Sequence, residues 1–381
     1  MFKNQVAEFI YKRTYSRWLE EENRRENWEE TIDRFLGFVI SERPDIPEKT
    51  QNKIRKYMME FGVMPSMRFL WAAGPAAKAD NTCIYNCSFA KINNVEAFAE
   101  CLYILMCGTG FGFSVEQEEV SKLPKIPQIN SGQALKKVVI EDSKKGWADS
   151  VKTLMQSLYE GQNIYFDYSE IRLEGARLKT MGGRASGPQP LVKLHDFIRE
   201  TMHNAQGRQL TSLECHDICN QIAEIVVVGG VRRSSQISLS DLHDKDMRHA
   251  KEWPYPIKRA MANNSAIYRE KPSAGEFLSE WAALALSGTG ERGIFNLNAA
   301  QSKAPSRRYA PLIQGTNPCG EIMLRDMEFC NLSEVVVRED DDLDSLLDKV
   351  ETATWLGVIQ SSFTYFPYLR NTWKKNCDTE A

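Results

Sequence analysis

Residues 315–322, with the sequence Gly-Thr-Asn-Pro-Cys-Gly-Glu-Ile, place an amide, a thiol and a carboxylate within one short segment. Pro318 and Gly320 flank Cys319, which favours a tight irregular loop over a helix or a strand. A loop tip can present a thiol that a regular element would bury, and Glu321 could act on the same substrate as that thiol. Asn317 offers both a hydrogen-bond donor and an acceptor. The segment therefore indicates a thiol-based reaction centre, and the alternative is a turn around a buried free cysteine.

The chain has 9 cysteines, and this odd number excludes complete pairing within one chain. The N-terminus is charged throughout and does not resemble a secretory signal, so buried thiols, metal ligands or redox chemistry are favoured over structural disulfides. Cys215 and Cys219 lie one helical turn apart in an amphipathic stretch, which predicts buried thiols. Zinc sites usually use the tighter C-x2-C spacing, so no metal site is predicted.

Three glycine-rich segments, 108–114, 181–188 and 229–235, could contact a ligand. Small residues leave backbone N–H groups open to an anion or a sugar. Arg232 and Arg233, beside paired glycines, suit phosphate binding. The alternatives are a tight turn for the first segment, a plain surface loop for the second and a solvated basic turn for the third.

The elements that must position these segments change character near residue 80. Residues 1–79 are predicted to be a helical N-terminal region, and residues 80–381 an α/β region with strands alternating with helices, typical of a parallel sheet or barrel. Predicted strands are 82–89, 112–116, 163–168, 235–240, 265–268, 293–298 and 332–337. Predicted helices are 95–106, 147–159, 191–203, 215–227, 275–286 and 343–361. The acidic run 339–342 suits the positive end of the last of these helices.

Composition sets outer limits on function. The chain has 381 residues, 42% of them hydrophobic and 26% charged, with a formal net charge of -3. This balance argues against a general nucleic-acid binder, and no apolar run approaches the roughly 20 residues of a membrane span. We therefore expect no nucleic-acid partner, no membrane partner and a cytoplasmic location. Residues 371–381 show no terminal element and the strand expected after residue 361 is missing, so the chain resembles a fragment or one half of a split protein.

Taken together, the motifs resemble the adenosylcobalamin-dependent (class II) ribonucleotide reductases, along nearly the whole chain. The matching segments are 11–18, 86–89, 107–115, 168–172, 185–188, 217–220, 230–234, 263–265, 317–321 and 330–332. Single tetrapeptides of this kind are weak signals, whereas this many in one order form a specific pattern.

The resemblance implies a role for each catalytic residue. Cys319 would become a thiyl radical that abstracts the ribose 3′ hydrogen. Glu321 would be the general base on the 3′ hydroxyl, and Asn317 the amide that orients the ribose. Cys87 and Cys330 would give two electrons and close to a disulfide, since removal of the 2′ hydroxyl as water needs a proton donor and two electrons.

The resemblance also implies the fold and the binding residues. The expected fold is the first half of a ten-stranded α/β barrel, with the Cys319 loop running through its middle and the first strand of the second half included. Thr109 and Gly110 would touch the substrate. Lys179, Arg232 and Arg233 would lie in the loops that bind the specificity effector.

Adenosylcobalamin is the implied cofactor. Implied partners are a ribonucleotide substrate, a dNTP effector, a thioredoxin-like reductant, a missing C-terminal half and a second copy in a homodimer. Many relatives have an acidic residue where this chain has Asn94, which puts effector contacts there in doubt. Two alternatives remain: the large subunit of a class I reductase, and a non-catalytic nucleotide-binding fragment. In the class II interpretation as in both alternatives, the isolated chain is expected to be inactive.

Overall fold

The computed structural model of the protein describes residues 2, 4–130, 137–176, 184–228 and 234–380. Predictions that fall on residues 131–136, 177–183 and 229–233 lie outside this part of the chain. None of the helices described is long and apolar enough to cross a membrane.

The described chain up to residue 79 is mainly helical. Its helices are α1 Gln5–Thr14, α2 Trp28–Glu42, α3 Glu48–Met59, α4 Met67–Ala72 and α5 Pro75–Ala79, and its short strands are β1 Trp18–Leu19, β2 Arg24–Arg25 and β3 Val63–Pro65. Helix α2 begins with a capping box, because the Asn27 side chain accepts from the Glu30 N–H and the Glu30 carboxylate accepts from the Asn27 N–H. Trp28 then stacks on Phe61, with ring centroids 4.9 Å apart, and its indole N–H donates to the Met58 carbonyl. These contacts join α2 to the end of α3.

The rest of the described chain alternates strands with helices. The strands are β4 Cys87–Lys91, β5 Gly110–Ser114, β6 Lys137–Val139, β7 Tyr165–Asp167, β8 Gln236–Asp241, β9 Ala262–Tyr268, β10 Gly293–Asn296, β11 Gly315–Thr316, β12 Met323–Leu324, β13 Glu328–Cys330 and β14 Ser333–Val335. The helices are α6 Val95–Met106, α7 Gln117–Val120, α8 Lys144–Tyr159, α9 Gln189–Asn204, α10 Ser212–Val228, α11 Lys245–Arg248, α12 Ala274–Leu286, α13 Leu297–Ser302, α14 Leu343–Ser361 and α15 Asn371–Thr379. Short 3-10 turns occur at Asn81–Ile84, Ile257–Met261 and Ala310–Leu312.

Six strands form the central sheet, in the order β10-β9-β8-β5-β4-β13. The first five run parallel to one another, whereas β13 pairs with β4 in the antiparallel direction. Helices connect the successive parallel strands, as such crossovers require. This is the arrangement predicted for the first half of an α/β barrel followed by the first strand of the second half.

The two faces of the sheet carry different apolar clusters. The larger cluster packs the sheet against the helices and extends from Tyr11 in α1 to Cys377 in α15. A smaller cluster on the other face combines Phe89, Ile237 and Ile267 of the sheet with Leu324 of β12. The core is thus continuous across residue 79, and the division of the chain into regions 1–79 and 80–381 stays a prediction.

The end of the chain differs from the expectation, which was wrong about residues 371–381. Helix α15 lies there, and its Trp373 is fully buried, with the indole N–H donating to Glu100 Oε2 at 3.0 Å. Trp373 and Cys377, spaced by one turn, are its buried residues. So few apolar positions in a polar stretch give almost no periodic signal.

Two predicted strands lie outside the central sheet. Segment 163–168 contains β7, which pairs only with β6, and segment 332–337 contains β14, which pairs with β3 of the N-terminal region. On the side of β4 that faces away from β5, the neighbouring strand is β13. This strand is three residues long and was not predicted from the sequence. Helices α6 and α14 have the predicted bounds, while α8, α9 and α10 begin two or three residues earlier than predicted.

Candidate active site

Strands β11 and β12 form a short antiparallel hairpin whose loop presents Cys319. The Asn317 N–H donates to the Ile322 carbonyl at 3.1 Å, and the Ile322 N–H donates to Asn317 Oδ1 at 3.0 Å. Gly320 has a φ of +86°, a conformation that favours glycine. The loop is therefore closed by the backbone and side chain of Asn317, as the Pro-Cys-Gly pattern predicted for a tight turn.

The hairpin lies directly on the sheet because glycines remove the side chains between them. A Cβ atom on Gly315 would stand 2.2 Å from two atoms of the Phe89 ring on β4. A Cβ atom on Gly112 of β5 would stand 2.2 Å from the Thr316 carbonyl oxygen. Neither distance is compatible with a side chain, so the sequence of both elements permits this close approach.

Cys87 and Cys330 are direct partners across β4 and β13. The hydrogen bond between their thiols lowers the pKa of Cys87 and raises that of Cys330, and burial adds to the rise at Cys330. The Asn317 side chain lies beside Cys87 and also lowers its pKa. Asn317 Nδ2 is nevertheless buried without a partner of good hydrogen-bond geometry among the described residues. The two thiols are thus placed to form a disulfide, with Cys87 the more acidic of the pair.

Cys319 is the one exposed thiol of this group. Partial burial, the Glu321 carboxylate and the Cys87 thiol raise the pKa of Cys319. A raised pKa keeps the thiol protonated, which suits hydrogen-atom transfer better than nucleophilic attack. Cys319 lines an open cavity of about 430 Å³ that Asn263 and Glu291 also line. All five residues predicted to be catalytic therefore come together around the hairpin.

The two predicted substrate residues differ in their surroundings. Gly110 adjoins the thiols, since a Cβ there would lie 3.0 Å from Cys87 Sγ and 3.1 Å from Pro318 Cγ. Thr109 is buried, and its hydroxyl lies 2.8 Å from the Thr82 carbonyl oxygen and 3.0 Å from that of Tyr85. The Thr109 hydroxyl thus donates to backbone carbonyl oxygens in this structure.

The predicted effector residues Lys179, Arg232 and Arg233 lie outside the described residues. Asn94, where the resemblance led us to expect an acidic residue, caps helix α6, and its Oδ1 accepts from the Ala97 N–H at 3.0 Å. An aspartate could serve the same capping role.

Sequence reasoning missed Glu328, a carboxylate on the same strand as Cys330. It is fully buried, and burial raises its pKa to about 7. Its Oε2 accepts from the Arg325 N–H at 2.6 Å and lies 3.6 Å from Arg308 Nη2. Its Oε1 lies 4.0 Å from Arg325 Nε and has no hydrogen-bond partner among the described residues. Because β13 is too short to be predicted, no local pattern indicated that this residue faces the interior.

Comparison with known proteins gives matches over most of the chain. Residues 1–75 match the model of the ribonucleotide reductase alpha domain, and residues 125–202 match that of the B12-dependent ribonucleotide reductase insertion domain. The adenosylcobalamin-dependent ribonucleoside-triphosphate reductase of Lactobacillus helveticus (strain DPC 4571) is 30% identical, over 85% of this chain and 54% of its own length. The reductase of the same name from Lactobacillus delbrueckii subsp. bulgaricus (strain ATCC BAA-365 / Lb-18) is 28% identical, over 85% of this chain and 53% of its own. The chain thus spans about half the length of the curated relatives it matches.

A crystal structure of a B12-dependent (class II) ribonucleotide reductase superimposes with a TM-score of 0.79 and 25% sequence identity, covering 94% of this chain and 59% of the other. A parallel half-barrel that carries a cysteine hairpin on one face and a thiol pair on adjacent strands has the architecture of a ribonucleotide reductase. The resemblance to the adenosylcobalamin-dependent, class II ribonucleotide reductases is confirmed in sequence and in fold.

Proposed function

We propose that this chain is the thiol-bearing N-terminal part of a class II ribonucleotide reductase, which converts ribonucleotides to deoxyribonucleotides for DNA synthesis. The observation that carries the proposal is an exposed, protonated thiol on a hairpin tip beside two cysteines that are directly paired across β4 and β13. The names of the relatives favour a ribonucleoside triphosphate as substrate.

The proposed chemistry assigns one task to each residue. As a thiyl radical, Cys319 takes the hydrogen atom from the ribose 3′ carbon while Glu321 accepts the proton of the 3′ hydroxyl. The 2′ hydroxyl leaves as water with a proton from the thiol pair, and the second hydrogen of the pair goes to the 2′ carbon. Cys87 and Cys330 thereby supply two electrons as their disulfide forms, and Glu321 gives its proton back to the 3′ oxygen. Cys319 then returns its hydrogen to the 3′ carbon. The free Asn317 Nδ2 is the donor left to orient the ribose, because Oδ1 is held by the loop backbone.

The accessibility of Cys319 fits the proposed cofactor. Its thiol is exposed on the open face of the half-barrel, where a large group can approach it. Bound adenosylcobalamin would supply the organic radical that removes the hydrogen atom from this thiol. The residues that hold the cobalamin are not assigned.

The proposal includes further partners. A thioredoxin-like dithiol would reduce the Cys87–Cys330 disulfide, and a C-terminal half would complete the barrel. A dNTP effector would bind near Lys179, Arg232 and Arg233, and a second copy could form a homodimer. Thr109 and Gly110 would contact the substrate, Gly110 through its backbone. A cytoplasmic location, where DNA precursors are made, also belongs to the proposal.

The test is a nucleotide reduction assay on the chain completed with its C-terminal half, using a dithiol reductant and adenosylcobalamin. Deoxyribonucleotide formation that requires the cofactor supports the proposal. Formation that instead requires a second metalloprotein subunit would identify a class I large subunit. Effector binding in calorimetry without any turnover would identify a nucleotide-binding fragment.

A further inference from the structure

The hairpin that carries Cys319 is held by the sheet from two sides. On one side lies Gly112 of β5, where the Thr316 carbonyl oxygen occupies the space that a Cβ atom would take, at 2.2 Å. The contact is made by the backbone of Thr316, which lies only three residues before Cys319. A side chain at position 112 must therefore displace the hairpin itself, because backbone cannot rotate away as a flexible side chain can.

On the other side lies Asn263 of β9, two strands from β5 in the sheet. Its Nδ2 donates to the Pro318 carbonyl oxygen at 3.3 Å, which is the peptide group joining Pro318 to Cys319. Within the described residues, the other hydrogen bonds of the loop-tip backbone stay inside the hairpin. Asn263 is thus the hydrogen-bonded link from the sheet to the peptide group of the reactive cysteine.

These two contacts fix different parts of the hairpin's position. Gly112 sets how closely the base of the hairpin approaches the floor of the sheet. Asn263 sets where the tip lies above β9, on the wall of the cavity that it shares with Cys319. We propose that Gly112 and Asn263 are positioning residues that together fix the Cys319 sulfur relative to the substrate and to Cys87, an inference that rests on the proposed function of Cys319.

The physical reason is the steep distance dependence of the reaction. Hydrogen abstraction needs reacting atoms about 3–3.5 Å apart, and a displacement of about 1 Å can cost about 100-fold in rate. Neither residue touches the reacting atoms in this proposal. Substitution should therefore lower kcat of the completed enzyme with little change in KM, by roughly 100-fold for Gly112→Ala.

The decisive experiment measures thiol geometry in the present chain, without turnover. Gly112→Ala and Asn263→Ala are compared with Asn263→Gln, which keeps a donor, and with two controls. Gly37→Ala adds the same methyl group where no atom lies within 4 Å, and Ser265→Ala removes a polar group from the same strand and cavity as Asn263. The readouts are the alkylation rate of Cys319, the yield of a Cys319–Cys87 disulfide and the yield of the Cys87–Cys330 disulfide.

The proposal expects Gly112→Ala and Asn263→Ala to change the Cys319 alkylation rate and the Cys319–Cys87 yield severalfold. The Cys87–Cys330 yield, measured with Cys319→Ser added so that the two disulfides do not compete for Cys87, should stay at the wild-type level. Asn263→Gln should restore part of the change, and both controls should match the wild type. Wild-type Cys319 behaviour in Asn263→Ala overturns the proposal even if Gly112→Ala fails to fold. These readouts do not depend on nucleotide reduction, so failure of the proposed function in the completed enzyme would be recognised separately.

Discussion

Oxidising Cys87 and Cys330 to a disulfide is predicted to stabilise the protein strongly against unfolding. The two residues are register partners on β4 and β13, and the interaction between their thiols shifts the pKa of both. The bond can therefore form with little rearrangement of the backbone, which limits the strain that weakens many engineered disulfides.

The size of this stabilisation follows from the length of the loop that the disulfide closes. Between positions 87 and 330 this loop holds roughly 240 residues, for which the chain-entropy relation gives about 5 kcal/mol. Observed disulfides more often contribute about 2–4 kcal/mol. Even about 2 kcal/mol should raise the melting temperature by about 2–3 °C, at roughly 1.2 °C per kcal/mol for a chain of this size.

The assay compares thermal unfolding of the reduced and the mildly oxidised chain, with peptide mapping to locate the bond. Cys319→Ser should retain the full shift, since that thiol is outside the pair, whereas Cys330→Ser should abolish it. The reasoning fails if the oxidised wild type melts at the reduced temperature, or if Cys330→Ser retains the shift.

Three further substitutions test other contacts of the site. Gly315→Ala should cost about 1–3 kcal/mol in urea unfolding by pushing against the Phe89 ring, and clearly less on a Phe89→Leu background; equal costs in both backgrounds would contradict the contact. Burial raises the pKa of Glu328 from 4.5 to about 7. The contribution of this side chain to the free energy of unfolding is therefore fully present below pH 4.5 and is lost as the pH rises through 7, by up to about 3 kcal/mol. Glu328→Gln should flatten this part of the stability-against-pH curve, and an unchanged slope would exclude Glu328 as its source. Asn317→Asp keeps the acceptor for the Ile322 N–H, removes the amide donor and buries a carboxylate, so it should lower the free energy of unfolding and also lower nucleotide reduction by the completed enzyme about 100-fold, whereas undiminished activity would show that the donor has no role.

The parts of the fold that could be predicted are those with a strong local signal. Helix α6 is an almost continuous apolar segment that begins after its capping residue Asn94, and α14 begins with the capping residue Asp342 in the predicted acidic run. The tight loop around Cys319 followed from Pro318 and Gly320, whose conformational limits are local.

The parts that could not be predicted depend on contacts between distant residues. Strand β13 is three residues long and exists because β4 pairs with it, while α15 is held by Trp373 and its hydrogen bond to Glu100. The contact between Cys87 and Cys330 was expected only from the family resemblance, since no spacing in the sequence indicates it. The buried position of Glu328 likewise depends on the pairing of β13 and could not be read from its neighbours.

The most direct test of the account is nucleotide reduction by the completed enzyme with a substrate deuterated at the ribose 3′ carbon, in the wild type and in Cys319→Ser. Serine is nearly the same size as cysteine and stands at an exposed position, so the variant should fold normally. We predict that the wild type turns over with a deuterium isotope effect, and that Cys319→Ser forms no deoxyribonucleotide while still binding substrate. Deoxyribonucleotide formation by Cys319→Ser at the wild-type rate would contradict the assignment of Cys319 as the hydrogen-abstracting residue.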